Sequence, residues 1–194
     1  EDLIEEEQCV FTLSHAGYIK RVPAATYRAQ RRGGRGVTGQ TLREEDFVES
    51  VFSASTHDYL LFFTNRGRVH RRKGYQIPEA GRTAKGTNIV NILPLEAGER
   101  VTAGITVHEF DEDYLLFVTK QGTVKRLELS ALYTARKAGI RALTILDDDE
   151  LIAVLKTDGA SNIILATAGG MAICFAETDV RVMGRDAAGV RGIT

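Results

Sequence analysis

Leu60-Leu61-Phe62-Phe63-Thr64-Asn65-Arg66-Gly67-Arg68-Val69-His70-Arg71 reads as an apolar run, a hydroxyl residue, two further residues, a glycine and then an alternating stretch. The run is short, aromatic and aliphatic, and ends in a turn signal, which predicts the first strand of a hairpin. The glycine supplies the positive φ of a tight turn. The alternation after it predicts a second strand with one buried and one wet face. The same phrase recurs at Val10-Phe11-Thr12-Leu13-Ser14-His15-Ala16-Gly17, at Leu115-Leu116-Phe117-Val118-Thr119-Lys120-Gln121-Gly122 and at Ile163-Ile164-Leu165-Ala166-Thr167-Ala168-Gly169-Gly170. The hydroxyl always stands three before the glycine, and successive glycines are 50, 55 and 48 residues apart. A second glycine follows each at Gly36, Gly86, Gly139 and Gly189, offset by 19, 19, 17 and 19.

Self-similarity near a period of about 50 residues signals a repeat architecture of the solenoid or propeller type. No long segment shows a 3.6-residue apolar period, and the runs 47–54 and 101–107 add strands between hairpins. Roughly four strands per unit is the anatomy of a propeller blade. The predicted fold is all-β: one propeller-like domain over 1–194, with about four blades at approximately 1–46, 47–99, 100–149 and 150–194.

At 194 residues, 43% hydrophobic and 26% charged, the chain can bury a substantial core. Its 25 basic and 26 acidic side chains exclude a uniformly basic nucleic-acid binder. Cys9 and Cys174 lie far apart with no Cys or His at metal-ligand spacing, so reduced thiols, no zinc site and no other metal are expected. The acidic start Glu1-Asp2-Leu3-Ile4-Glu5-Glu6-Glu7 is unlike a secretory signal. The uncharged stretch 159–176 is broken by Ser161, Asn162, Thr167 and Gly169-Gly170, which favours two strands over a membrane helix.

The near-zero total charge hides an ordering. Residues 20–35 hold six basic side chains, Lys20 and Arg21 among them, and no acid. The second repeat carries Arg66, Arg68, Arg71, Arg72 and Lys73 at its hairpin, then Arg82 and Lys85; the third has Lys120, Lys125 and Arg126, then Arg136, Lys137 and Arg141. Acids collect at Glu44-Glu45-Asp46, at 109–113 and at Asp147-Asp148-Asp149-Glu150, where one unit joins the next. In a repeat protein, equivalent positions fall at equivalent places, so sorted charge predicts a basic stripe; the alternative is a solvated face of mixed charge.

The first unit also contains Gln30-Arg31-Arg32-Gly33-Gly34-Arg35-Gly36. Glycines let bare backbone N–H groups approach phosphate, and the guanidinium fork suits phosphate better than an ammonium does. A flexible loop is the other reading. This heptad is identical to the GyrA box, and the whole chain resembles the C-terminal domain of the DNA gyrase A subunit, from Glu1-Asp2-Leu3-Ile4 through Ile77-Pro78-Glu79-Ala80 to Met183-Gly184-Arg185-Asp186-Ala187-Ala188-Gly189-Val190-Arg191-Gly192. The resemblance implies a β-pinwheel with exchanged strands that wraps duplex DNA, with little sequence preference, around a basic perimeter. It implies that Gln30 to Gly36 hold the wrapped DNA, with degenerate copies around 82–86, 136–139 and 184–192. It also implies a bacterial, nucleoid-associated enzyme of two A and two B subunits, with ATP and Mg²⁺ handled outside this chain and no membrane partner.

The family usually carries six blades and about four are present, which implies a fragment lacking its C-terminal third. Cys174 takes the slot that Arg21, Arg71 and Arg126 hold in the other copies, so the stripe is expected to weaken there. Topoisomerase IV shares the fold, but an intact heptad points to gyrase. No catalytic site is expected in this chain: the family's nucleophilic tyrosine follows an Arg, and Tyr18, Tyr27, Tyr59, Tyr75, Tyr114 and Tyr133 follow Gly, Thr, Asp, Gly, Asp and Leu. His15, His57, His70 and His108 form no local cluster, and there is no P-loop. A protein-interaction propeller is the rival from another class, disfavoured because the loop tips carry Arg and Lys. With 7% aromatics and no Trp, stacking on single strands is also disfavoured.

Overall fold

A computed structural model describes residues 1, 3–27, 45–134 and 138–193. The heptad Gln30-Arg31-Arg32-Gly33-Gly34-Arg35-Gly36 and the pair Arg136 and Lys137 lie outside the described residues. The first hairpin is β1 (Gln8–Ser14) and β2 (Tyr18–Pro23), followed by β3 (Val48–Ser55). The second is β4 (Tyr59–Thr64) and β5 (Arg68–Lys73), followed by β6 (Thr87–Asn88) and β7 (Val101–Val107). The third is β8 (Tyr114–Thr119) and β9 (Thr123–Glu128), followed by β10 (Ile140–Arg141) and β11 (Leu151–Thr157). The fourth is β12 (Asn162–Ala166) and β13 (Ala172–Ala176), followed by β14 (Val190–Arg191). The runs expected between hairpins are β3 and β7. Among the described residues the helices are short 3₁₀ turns, and none is long and apolar enough to cross a membrane.

The recurring phrase has a direct physical basis. In each hairpin the hydroxyl oxygen accepts the backbone N–H of the residue after the turn glycine: Ser14 from Tyr18 at 3.0 Å, Thr64 from Arg68 at 3.3 Å, Thr119 from Thr123 at 3.1 Å and Thr167 from Met171 at 3.2 Å. The glycine N–H donates to the carbonyl of the same hydroxyl residue at 3.0 to 3.1 Å. The four glycines have φ between +78° and +91°, the left-handed region that side chains disfavour. Hydroxyl and glycine together close the turn, so neither can drift in sequence without the other.

The sheets run β3-β1-β2-β6, β10-β5-β4-β7, β11-β8-β9-β14 and β12-β13. In the three four-stranded sheets a hairpin lies in the middle and both outer strands come from later in the chain. Boundaries at 46, 99 and 149 therefore separate each hairpin from its partners: the repeat in sequence is offset from the repeat in space. The reason is that a hairpin leaves two edges of unpaired N–H and C=O groups, and later segments of the chain cover both.

By contact density the chain divides into two units, Glu1–Leu61 with Arg72–Leu95 and Thr106–His108, and Phe62–Arg71 with Glu96–Ile105 and Glu109–Thr194. In the first, Cys9, Phe11, Leu13, Ile19 and Val22 are buried, as are Leu60, Leu61, Ile77 and Leu93, and Phe11 stacks on Phe52 at 5.4 Å. In the second, Phe63 meets Phe117 edge to face at 5.5 Å. The fourth hairpin packs Ile163 and Leu165 on Leu116, Val118 and Val124. Burying each such side chain contributes roughly 1.5–3 kcal/mol, enough to dock a two-stranded sheet that would be marginal alone.

The second glycine landmark marks the strand exchange. Gly86 has φ +92°, and a Cβ there would lie 2.6 Å from the Ile19 carbonyl oxygen of β2. Gly189, at φ +108°, faces the Val124 carbonyl of β9 in the same way. Gly86→Ala is expected to lower stability by about 2–3 kcal/mol, from left-handed strain and the clash together. Urea unfolding checks this: a midpoint within error of the parent chain would mean that β6 does not depend on this approach.

Candidate nucleic-acid interface

The loops that precede β6 and β14 repeat each other: Ala80-Gly81-Arg82-Thr83-Ala84-Lys85-Gly86 and Met183-Gly184-Arg185-Asp186-Ala187-Ala188-Gly189. Each enters by a parallel bridge to a hairpin arginine, Glu79 on Arg21 and Val182 on Arg126. Each then turns on the same bond, Ala84 N–H to the Gly81 carbonyl at 3.1 Å and Ala187 N–H to the Gly184 carbonyl at 3.3 Å. In sequence register, Arg82 and Lys85 align with Arg32 and Arg35 of the heptad.

Beneath each loop lies a buried lysine. Lys20 is fully buried, and its ammonium donates to the carbonyls of Gly81 at 3.0 Å, Arg82 at 2.5 Å and Ala84 at 3.0 Å. Lys125 is equally buried and donates to Ala142 at 2.7 Å, Arg185 at 2.9 Å and Ala187 at 3.0 Å. Burial lowers both ammonium groups, Lys125 to about 8, which leaves it charged at neutral pH. His70 occupies the same register, three after its turn glycine, and is also fully buried. A Cβ on Gly139 would stand 2.6 Å from its ring.

Several expected members of the basic stripe are thus turned inward. Besides Lys20 and Lys125, Arg72 is buried and donates to the Ile92 carbonyl at 2.9 Å. Arg126 is buried, lies 4.2 Å from the Tyr114 ring centroid and donates to Glu177 at 3.2 Å. Phosphate contact by these four would cost their present bonds, several kcal/mol for a buried ion pair. The expectation of an open stripe is corrected here: these four side chains hold the fold. The physical reason is that both faces of β2, β5 and β9 are largely covered, so strand alternation does not guarantee a wet face.

The outer cations are arranged differently. Arg66, 43% exposed at the side chain, pairs at 2.7 Å with Glu96, which is 63% exposed. Arg68 reaches Glu99 at 3.5 Å and the Ala138 carbonyl at 2.8 Å. Arg71 donates to the Tyr133 carbonyl at 2.6 Å, and Lys85 lies 3.8 Å from the centroid of Tyr18. Arg21 is half-buried between the Ile77 carbonyl and Glu79, and Arg82 is partly exposed in its loop. Exposed pairs are worth about 0–1 kcal/mol, so phosphate can displace the carboxylate at Arg66 with little loss. Arg185, which the expected stripe did not include, donates to the Arg141 carbonyl at 3.4 Å. Its signal was the Gly-Arg pair shared by the two loops. Cys174 is exposed, in the slot of Arg21, Arg71 and Arg126. Among the described residues no group of His, Cys, Asp and Glu could hold a metal ion.

A family profile described as DNA gyrase C-terminal domain, beta-propeller, matches residues 10–55, 58–108, 113–158 and 161–194. The chain is 53% identical over 193 residues to the DNA gyrase A subunit of Clostridium acetobutylicum, covering 99% of this chain and 23% of that protein. It is 50% identical over 196 residues to the same subunit of Staphylococcus aureus, covering 100% of this chain and 22% of that protein. The chain therefore spans about a quarter of the length of these relatives. Among solved structures, it superposes on a C-terminal domain of DNA topoisomerase IV with a TM-score of 0.82 at 29% identity, covering 99% of this chain and 58% of that one. A DNA gyrase A C-terminal domain gives 0.75 at 27% identity, covering 97% and 61%.

The Arg126–Glu177 pair is open to a direct check. Burial alone would raise the Glu177 carboxyl, but the Thr157 hydroxyl at 2.6 Å, the Ser161 N–H at 2.7 Å and Arg126 outweigh it and hold it below its ordinary 4.5. A carboxyl depressed by folding stabilises above its unfolded value, and that stability is lost as pH falls through the folded one. Glu177→Gln is expected to cost about 3–5 kcal/mol at pH 7, because the Arg126 charge stays buried without its partner. Below about pH 4.5 the variant should lose stability less steeply than the parent. Parallel acid unfolding of the two proteins checks this: an equal or steeper loss in the variant would refute it.

Proposed function

The chain belongs to the DNA gyrase C-terminal domain family, and from that premise we propose that it binds and wraps duplex DNA for a type II topoisomerase. The observation that carries this reading is the recurrence of one device: a glycine-punctuated loop that presents an arginine on a backbone tether, at 80–86 and again at 183–189, aligned with the Gln30-Arg31-Arg32-Gly33-Gly34-Arg35-Gly36 heptad. The DNA-contacting set becomes the heptad, Arg82, Lys85, Arg66, Arg68 and Arg71, with Arg136 and Lys137 from the third repeat and Arg185 added from the fourth. Arg21 lies at the margin of that set.

Guanidinium and ammonium groups at such loops neutralise phosphates and release counterions, giving affinity with little base preference. Bending a duplex of 20–30 bp by 40–90° costs on the order of 1–6 kcal/mol, more than one loop recovers. Repetition of the loop distributes that cost. Strand passage, ATP hydrolysis and Mg²⁺ binding belong to the remainder of the gyrase A polypeptide and to its B partner, in an assembly of two of each acting on the bacterial nucleoid in the cytoplasm. Topoisomerase IV is the second reading, favoured by the higher TM-score. The intact heptad and the identity to gyrase over the whole chain favour gyrase.

Replacing Arg31, Arg32 and Arg35 together by alanine removes three charges from the glycine-rich heptad. The expected result is an unchanged thermal midpoint, a log-affinity against log-salt slope smaller by about 2–3, and loss of duplex bending seen by end-to-end fluorescence transfer. A folded triple variant that binds and bends DNA as the parent does would overturn the proposal.

A further inference from the structure

The tethers beneath these arginine-bearing loops carry an inference beyond DNA contact, one that rests on the reading above. Lys20 and Lys125 stand three residues after their turn glycines in different repeats, are both fully buried, and each spends all three N–H donors on backbone carbonyls. Two of the carbonyls are equivalent in the two loops: Arg82 with Arg185, and Ala84 with Ala187. A buried ammonium is costly to keep, and apolar side chains would fill the space more cheaply. What an ammonium does that a leucine cannot is fix three carbonyls at once. Arg82 illustrates it: its carbonyl points in, onto Lys20, while its side chain is left partly exposed.

We propose that Lys20 and Lys125 are positioning residues for DNA wrapping: each ties down carbonyls of the arginine-bearing loop supplied by the next repeat, so that the arginine of that loop meets phosphate in a fixed pose. The lysines touch no DNA. They act through Arg82 and Arg185 by limiting the loop's freedom before binding, which reduces the ordering cost that binding would otherwise bear.

The test is a double-mutant cycle on the 194-residue chain with a fluorescent duplex of about 40 bp at fixed salt, using Lys20→Met, Arg82→Ala and both together. Each single change is expected to weaken binding about three- to tenfold, and the double variant no more than the worse single, because a misplaced Arg82 has little left to lose. Amide exchange without DNA should quicken at residues 81–86 in Lys20→Met while β1 and β2 stay protected. Lys125→Met with Arg185→Ala repeats the cycle in the other unit. Additive losses would make Lys20 an independent contact and overturn the proposal; so would unchanged loop exchange, and so would global unfolding of both lysine variants, which would make them fold residues only. Arg82→Ala binding as tightly as the parent would remove this loop from the DNA-contacting set and overturn the proposal for Lys20, while loss of bending in the heptad variant would still stand for the wrapping reading on its own.

Discussion

A β-hairpin is an incomplete object: its two strands satisfy each other on one side and leave an edge on each outer side. This chain resolves that constraint the same way three times, with a long strand on one edge and a two-residue strand on the other. Everything else follows from the second of these. A strand as short as Thr87–Asn88 or Val190–Arg191 holds its place only if the loop before it is anchored. The anchor is a close backbone approach that only glycine allows, combined with a buried ammonium that collects carbonyls.

That anchoring gives the cations two distinct roles. Those inside, Lys20, Lys125, Arg72 and Arg126, are bound to carbonyls or to Glu177 and are too costly to release. Those outside are held more loosely: Arg66 pairs with the exposed Glu96, a pair worth about 1 kcal/mol or less, while Arg71 donates to the Tyr133 carbonyl and Lys85 lies over the Tyr18 ring. The acids that bring the formal net charge to -1 include these exchangeable partners, which is how a chain of nearly balanced charge can still offer cations to a polyanion.

The hairpins were legible because their determinants are local: four residues close a turn through one hydroxyl and one glycine, and both leave a mark in sequence. The strand exchange was not, because pairing of β3 with β1 or of β14 with β9 is decided by residues far apart, and two-residue strands carry no periodicity. Among the site residues, the hairpin cations were found by type but not by direction. A finer reading of parity would have helped, since Lys20 shares its strand face with Val22 and Lys125 with Leu127, both buried. Arg21 and Arg126 occupy one register yet differ in their partners, because the carboxylate opposite Arg21 is the exposed Glu79 and the one opposite Arg126 is the buried Glu177.

Directional wrapping separates this domain from a protein that merely holds DNA, and one experiment addresses it without intermediate steps. Nicked circular DNA is ligated in the presence of this chain at low and at moderate salt, and the topoisomers are resolved. Wrapping predicts a displaced linking-number distribution at low salt that returns toward the control as salt rises. An undisplaced distribution under conditions where the circle is demonstrably bound would contradict it, leaving a protein that holds DNA without turning it.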